Sequence, residues 1–143
     1  MCCARRKVHC ISSEASGRGL FDYRTISVLP DVNLSLKIME MAGVKNSVIT
    51  CESPEKVSRA FWRGILIKLL VDAPCSGEGM FRREPSMVKS WSPEEVERYA
   101  KLQREILTSA AQMIKPGGYL LYSTCTFAKE EDEQTVEYFF RAT

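Results

Sequence analysis

The sequence predicts an α/β fold built on a mostly parallel sheet, and two observations carry that prediction. Two segments, "ILIKLLVDA" and "YLLYSTCTF", are almost continuously apolar, which is typical of strands buried on both faces of a parallel sheet. Segments with helical signals precede, separate and follow them, so strands and helices alternate along the chain. This order requires crossover connections, which leave successive strands parallel.

The elements before the first of these strands are less regular. "GRGLFDY" fits a short strand, "LKIMEMAG" fits the end of a helix that stops at Gly43, and "VKNSVIT" fits a strand that ends at Thr50. "SPEKVSRAF" fits a helix start, with Ser53 as the N-cap and Pro54 at the first helical position.

The best-marked element is the helix that begins in "SPEE". Ser92 is the expected N-cap, Pro93 takes the first helical position, and Glu95 completes a capping box. A largely apolar face follows with mostly three- and four-residue steps. Its members are Val96, Tyr99, Gln103, Ile106, Leu107, Ala110, Met113 and Ile114. We expect "KPGG" to end this helix, and "KEEDEQTVEYFF" to open a last helix with its acids at the favourable N-terminal end.

Composition and charge exclude several classes of protein. The 143 residues suffice for one domain, and a net charge of +2 neither requires nor excludes a nucleic-acid partner. No apolar run is long enough to cross a membrane and "MCCARRKVHC" has no apolar signal-peptide core, so we expect a cytoplasmic protein. The six cysteines form no CxxC pair, and His9 is the only histidine. We therefore expect reduced thiols, no metal site, and no hydrolase chemistry that needs a histidine base.

Two cysteines follow the two apolar strands, Cys75 in "VDAPCSG" and Cys125 in "YSTCTF". Ligands bind at the carboxyl ends of strands in open parallel sheets, so the topology could bring both cysteines to one edge. Each is either a small buried hydrophobe, the commoner role, or a reactive thiol in a polar pocket. Asp72 is likewise either a loop cap or an acid of the site, and the pattern leaves these alternatives open.

Several motifs together resemble a known family. "DAPCSGEGMFRR", a Trp before "SPE", "QREIL", "KPGGYLLYSTCTF" and "EEDEQTVEYF" are similar to motifs of the Nol/Nop/Sun (NSUN) RNA cytosine-5 methyltransferases. The branch they most resemble is that of the bacterial enzymes for small-subunit (16S) ribosomal RNA. The resemblance is dense over residues 43–140 and poor over residues 1–42. It implies a Rossmann-like core that depends on S-adenosylmethionine (SAM), present here as a single partial domain over residues 1–143 with an incomplete sheet.

The same resemblance implies residue roles and partners. Cys125 matches the nucleophile that attacks carbon 6 of cytosine, and Cys75 matches the second cysteine, which helps to release the product. Asp72 matches an acid that contacts cofactor and target base, and Glu52 and Ser53 are further expected cofactor contacts. The implied cofactor is SAM and the implied partner is RNA, either ribosomal RNA or tRNA. We expect a monomer without a metal or a membrane partner.

The N-terminal region departs from the family. "CCARRKV" stands where the family has a glycine-rich SAM loop, so Arg5 and Arg6 replace residues that let the backbone approach the cofactor. Thr25 and Ile67 stand where the family has acids. Codons for Pro-Gly-Gly-Lys read two bases later can encode Arg-Arg-Lys, so we hypothesise a shifted reading frame, which the encoding nucleotides would test. We expect weak SAM binding, and the alternative to an active enzyme is an inactive remnant that at most binds RNA.

Overall fold

The computed structural model describes residues 66–142 continuously, the backbone of residues 7–10, and separate positions between them. Those positions are Lys37, Glu40, Met41, Gly43, Glu55, Lys56, Ser58 and Gly64. In chain order, the strands and helices are β1 (Lys7–Cys10), β2 (Leu66–Asp72), α1 (Pro93–Ala111), β3 (Ile114–Ser123) and α2 (Glu133–Ala142). Two 3₁₀ turns, Glu78–Met80 and Pro85–Ser90, lie between β2 and α1. The strands predicted in "GRGLFDY" and "VKNSVIT" and the N-cap predicted at Ser53 lie outside the described residues.

The described strands form a sheet in the order β1-β2-β3. β2 and β3 are parallel, with Asp72 opposite Ser123, and α1 lies in the crossover between them, as predicted. β1 pairs antiparallel with the other edge of β2, placing Lys7 opposite Asp72. The sequence did not predict β1.

One face of this sheet packs against the helices. The core cluster comprises Leu66, Leu69, Val71, Ala73, Ile106, Leu107, Ala110 and Met113. Phe139 of α2 packs against the same cluster, so α1 and α2 cover the same face. The prediction that β3 is buried on both faces is wrong for this structure, since Tyr119 is 71% and Leu121 64% exposed. The face of β3 opposite the helices therefore carries exposed apolar side chains.

The N-terminus of α1 agrees with the sequence prediction. Ser92 is the N-cap, and its Oγ accepts a hydrogen bond from the Glu95 amide at 3.3 Å. The Glu95 carboxylate accepts from Arg98 Nε at 3.0 Å. Half of the capping box is thus observed, and the glutamate side chain supports the helix through an i,i+3 ion pair instead.

The predicted C-terminus of α1 is wrong. The helix ends at Ala111, so Met113 lies in the turn that follows and Ile114 begins β3. The chain leaves the helix early because the Leu66 amide donates to the Met113 carbonyl at 2.9 Å, which joins this segment to β2.

"KPGG" forms an irregularity inside β3 rather than a helix terminus. Leu66 pairs with Ile114, but Lys68 pairs with Tyr119, so β3 carries extra residues between these two pairs. Gly117 has φ +79°, and a Cβ on Gly118 would lie 2.6 Å from Ile114 Cγ2. The two glycines permit a bulge that residues with side chains would obstruct.

Candidate active site

The carboxyl ends of β2 and β3 bring two loops side by side. The Ala73 amide donates to the Ser123 carbonyl at 2.9 Å, which extends the strand pairing beyond Asp72. The loop that carries Cys75 and the loop that carries Cys125 therefore start next to each other, at the edge where open α/β sheets bind ligands.

The two thiols predicted to share this edge are in contact. Cys75 Sγ lies 3.1 Å from Cys125 Sγ, and the Cys125 amide donates to Cys75 Sγ at 3.2 Å. Both cysteines carry reduced thiols. Cys75 is only 1% exposed, whereas Cys125 is partly exposed, so Cys125 is the thiol that an incoming molecule would meet.

The chain after Cys75 folds back over Cys125. Gly77 adopts φ +79° at the turn, and the Gly79 amide then donates to the Cys125 carbonyl at 2.9 Å. A Cβ on Gly79 would lie 2.9 Å from that carbonyl oxygen. This close approach explains why the loop carries glycine at position 79.

The hydroxyl residues around the cysteines join the two loops. Ser76 Oγ and Thr126 Oγ1 are 2.9 Å apart and both residues are buried. Glu78 Oε2 accepts from the Phe127 amide at 3.0 Å, and Thr124 Oγ1 donates to Asp132 at 2.6 Å. These contacts hold the backbone on both sides of Cys125.

Sequence reasoning missed Glu131, a fully buried acid of the site. Its two carboxylate oxygens lie 3.2 and 3.1 Å from the Ser76 amide nitrogen, which donates to them, and Gln103 Nε2 donates to Oε2 at 2.7 Å. Glu131 is 0% exposed, and burial raises the pKa of its carboxyl above the ordinary value. The only signal in the sequence was Gln103, a polar residue on an otherwise largely apolar helix face.

Tyr122 supports the same region. Its hydroxyl donates to the backbone carbonyl of Glu131 at 2.8 Å. Burial raises the pKa of the phenol above its ordinary value, so the hydroxyl stays protonated and remains a donor at neutral pH.

Asp72 ends β2 at this edge of the sheet and is partly buried. Its Oδ1 lies 3.5 Å from Ser123 Oγ, a long and weak hydrogen bond that leaves the carboxylate largely available to a ligand. Its position and its acceptor oxygens fit contact with a polar cofactor. Glu52 and Ser53, the other expected cofactor contacts, lie outside the described residues.

An open cleft of about 710 Å³ lies beside the Cys125 loop. Its lining includes Glu78, Trp91, Phe127 and Lys129, with three further glutamates, Glu94, Glu97 and Glu130. Four acids against one lysine disfavour contact with RNA phosphates there. Within the described part of the chain, no group of three possible metal-ligating side chains was found, and no helix is long and apolar enough to cross a membrane.

Solved structures share this architecture. The crystal structure of PH0851 matches with a TM-score of 0.79 and 26% identity, covering 93% of this chain and 32% of that one. The crystal structure of NSun6 from Pyrococcus horikoshii with SFG matches with a TM-score of 0.70 and 24% identity, covering 94% of this chain and 37% of that one. These likenesses confirm the predicted Rossmann-like α/β methyltransferase fold.

Sequence comparisons agree with the structural ones. Ribosomal RNA small subunit methyltransferase F of Shewanella amazonensis is 42% identical over 100 residues, covering 70% of this chain and 21% of that protein. Its namesake from Escherichia fergusonii is 52% identical over 91 residues, covering 64% of this chain and 19% of that protein. The chain thus spans about a fifth of the length of these curated relatives. The family profile described as "16S rRNA methyltransferase RsmB/F" matches residues 23–143, and the chain therefore belongs to that family, within the NSUN type that its motifs resemble.

Proposed function

We propose that the edge formed by β2 and β3 is the active site of an RNA cytosine-5 methyltransferase that acts on ribosomal RNA. The observation that carries this proposal is the contact of Cys75 and Cys125 at 3.1 Å, at the ligand-binding edge of the sheet. Two thiols held together there, in a chain of the RsmB/F family, fit covalent catalysis on a pyrimidine ring.

Cys125 is the nucleophile in this proposal, because its thiol is the more accessible of the two. Its thiolate donates an electron pair to carbon 6 of cytosine, and the C5–C6 π pair moves to make carbon 5 nucleophilic. Carbon 5 would then form its bond to the methyl group of the bound sulfonium, as the bond from that methyl to sulfur breaks and its electron pair stays on the sulfur. A base removes the carbon-5 proton, the C5–C6 double bond re-forms, and the S–C6 bond breaks to return the thiolate. The cytosine must leave its stack to reach Cys125, so a loop or an opened helix is the natural substrate.

Cys75 and Asp72 take supporting roles at the same edge. Cys75 touches the attacking sulfur and assists its departure from carbon 6. The Asp72 carboxylate, at the end of β2, would contact the cofactor and the target base. SAM, when bound, supplies an electrophilic methyl group. We propose that all of these groups belong to one partial domain, with the cofactor contacts of Glu52 and Ser53 on the segment before β2.

A trapping experiment tests the assignment of the nucleophile. The chain is incubated with SAM and a 16S ribosomal RNA fragment that carries 5-azacytidine. Covalent protein–RNA adducts, which resist denaturation, are then quantified by denaturing gel electrophoresis. We expect an adduct with the wild type and with Cys75→Ala, and a loss of at least about tenfold with Cys125→Ala, because carbon 6 requires a thiolate. The same RNA with unmodified cytidine is the control for non-covalent binding.

Two outcomes contradict parts of the proposal. If Cys125→Ala forms as much adduct as the wild type, Cys125 is not the nucleophile. If the folded wild type forms no adduct while an intact relative does, the chain is an inactive remnant that at most binds RNA, as the altered "CCARRKV" segment would explain.

A further inference from the structure

Glu131 and Gln103 connect three parts of the site through buried hydrogen bonds. Glu131 lies six residues after Cys125, Gln103 lies on α1, and each is 0% exposed. Gln103 Nε2 donates both to Glu131 Oε2 at 2.7 Å and to the Pro74 carbonyl at 2.9 Å. One amide group therefore joins α1 to both cysteine-bearing loops.

These contacts bracket Cys75 on both sides. The Pro74 carbonyl, just before the cysteine, accepts from Gln103, and the Ser76 amide, just after it, donates to both oxygens of Glu131. The backbone of Cys75 is thus fixed by groups on either side of it.

We propose that Glu131 and Gln103 are positioning residues that hold Cys75 against Cys125, which deepens the function proposed above for this site and rests on it. We call the pair the Glu131–Gln103 clamp. Glu131 accepts from the Ser76 amide and Gln103 donates to the Pro74 carbonyl, so the pair acts through the backbone of residues 74–76. Because the clamp fixes that backbone, it sets the 3.1 Å separation of the two sulfur atoms.

The orientation of Gln103 supports this inference. Gln103 Nε2 donates to two acceptors, the Pro74 carbonyl and the Glu131 carboxylate. A flipped amide would place Gln103 Oε1, another acceptor, against them, so the orientation of the amide is fixed. Gln103 Oε1 is buried without a hydrogen-bond partner among the described residues. Burying Gln103 Oε1 and the Glu131 carboxylate costs free energy that apolar side chains of similar size would not cost. This cost favours a role of the two residues in positioning the loops rather than in net stability.

The test measures how strongly the two thiols are held together, and it needs neither RNA nor SAM. In a glutathione redox buffer, one glutathione disulfide takes two electrons and two protons from the Cys75 and Cys125 thiols and yields two reduced glutathione molecules and one intramolecular disulfide. The equilibrium constant is read by mass spectrometry of the tryptic peptides that carry Cys75 and Cys125, which separates this pair from the other four cysteines.

We expect the constant to fall at least about tenfold in Glu131→Gln, because glutamine keeps only one acceptor oxygen and places an NH₂ group where the second carboxylate oxygen accepts from the Ser76 amide. Gln103→Met removes both donated bonds while keeping the volume, and we expect a fall of similar size. In the double variant, the equilibrium constant should fall by less than the product of the two single fold-changes, because both residues hold the same segment.

Two control variants separate positioning from general destabilisation. Glu133→Gln makes the same chemical change at an exposed position two residues away. Ile106→Val trims a fully buried residue of α1 close to Gln103 and lowers stability without touching the clamp. Both should keep the wild-type constant within about twofold, and circular dichroism checks that every variant is folded in the buffer used.

A wild-type constant in folded Glu131→Gln and Gln103→Met would overturn the clamp. If Glu131→Gln does not fold, Gln103→Met decides the question alone. Because the 5-azacytidine experiment reads the chemistry of Cys125 and this one reads only thiol geometry, failure of the clamp and failure of the proposed function give different results.

Discussion

At the scale of single residues, Glu131 combines complete burial with two amide donors. The Ser76 and Gln103 hydrogen bonds lower the pKa of its carboxyl, but burial and the neighbouring Asp132 charge raise it, and burial is the largest of these effects. The raised pKa means that the folded chain binds a proton to this group more tightly than the unfolded chain does.

This difference makes stability depend on pH with a defined sign. The contribution of Glu131 is fully present below the unfolded pKa, about 4.5, and is lost as pH rises through the raised pKa of the folded state. We therefore expect the free energy of unfolding of the wild type, minus that of Glu131→Gln, to decrease as pH rises across this window. The slope of this difference against pH cannot exceed about 1.4 kcal/mol per pH unit, because only one group titrates.

Urea unfolding at a series of pH values measures this difference. Glu133→Gln is the matched control for the substitution itself, since it makes the same chemical change at an exposed position. A wild-type minus Glu131→Gln difference that stays constant from pH 4 to pH 7 would show that burial of Glu131 does not perturb its protonation.

At the scale of the secondary-structure elements, α1 links the core to the clamp. Its buried face carries Ile106 and Leu107 of the core and also Gln103, which reaches Pro74 and Glu131. The position of the helix along its axis is therefore important for the site as well as for packing.

The N-cap of α1 gives a prediction at this scale. Ser92→Ala removes the side-chain acceptor for the Glu95 amide, and we expect a loss of about 0.5–2 kcal/mol in the free energy of unfolding. Ser92→Asp keeps an acceptor at the N-cap and should retain most of the stability. Equal losses in the two variants, measured by urea unfolding, would show that the cap hydrogen bond is not what Ser92 contributes.

At the scale of the whole molecule, the described residues include a core between the sheet and the helices α1 and α2. Leu69 of β2 is 2% exposed within it, while its neighbour Lys68 points to the opposite face and is exposed. The alternation along β2 therefore gives a direct comparison of the two faces.

We expect Leu69→Ala to lower the free energy of unfolding by about 2–5 kcal/mol, because it removes buried carbon atoms and leaves a cavity. Lys68→Ala should change it by about 0.5 kcal/mol or less, as is usual for an exposed position. Thermal or urea unfolding measures both, and losses of similar size would contradict the assignment of the core to one face of the sheet.

Much of this arrangement could be predicted from the sequence. The apolar runs predicted β2 and β3, and the capping signals predicted the start of α1, because these features are local and strong. Topology predicted that Cys75 and Cys125 could share one edge, since parallel strands end at one edge, and the structure adds that they are in contact.

Other features depended on contacts that the sequence does not display. Glu131 stands in the acidic run "KEEDE", whose composition is typical of a solvated helix start, and only folding shows that this one acid is buried. The sequence of "KPGG" predicts a helix terminus rather than a bulge, because glycine and proline mark both alike. β1 is a four-residue strand within the poorly patterned N-terminal region.

The unequal exposure of the two touching thiols has a consequence for chemical labelling. Cys75 is almost completely covered, and its sulfur lies against that of Cys125, a partly exposed residue. A group attached to Cys125 stands between Cys75 and solvent. Cys125 should therefore be modified before Cys75. To an alkylating reagent, the folded chain therefore presents this pair as a single reactive position.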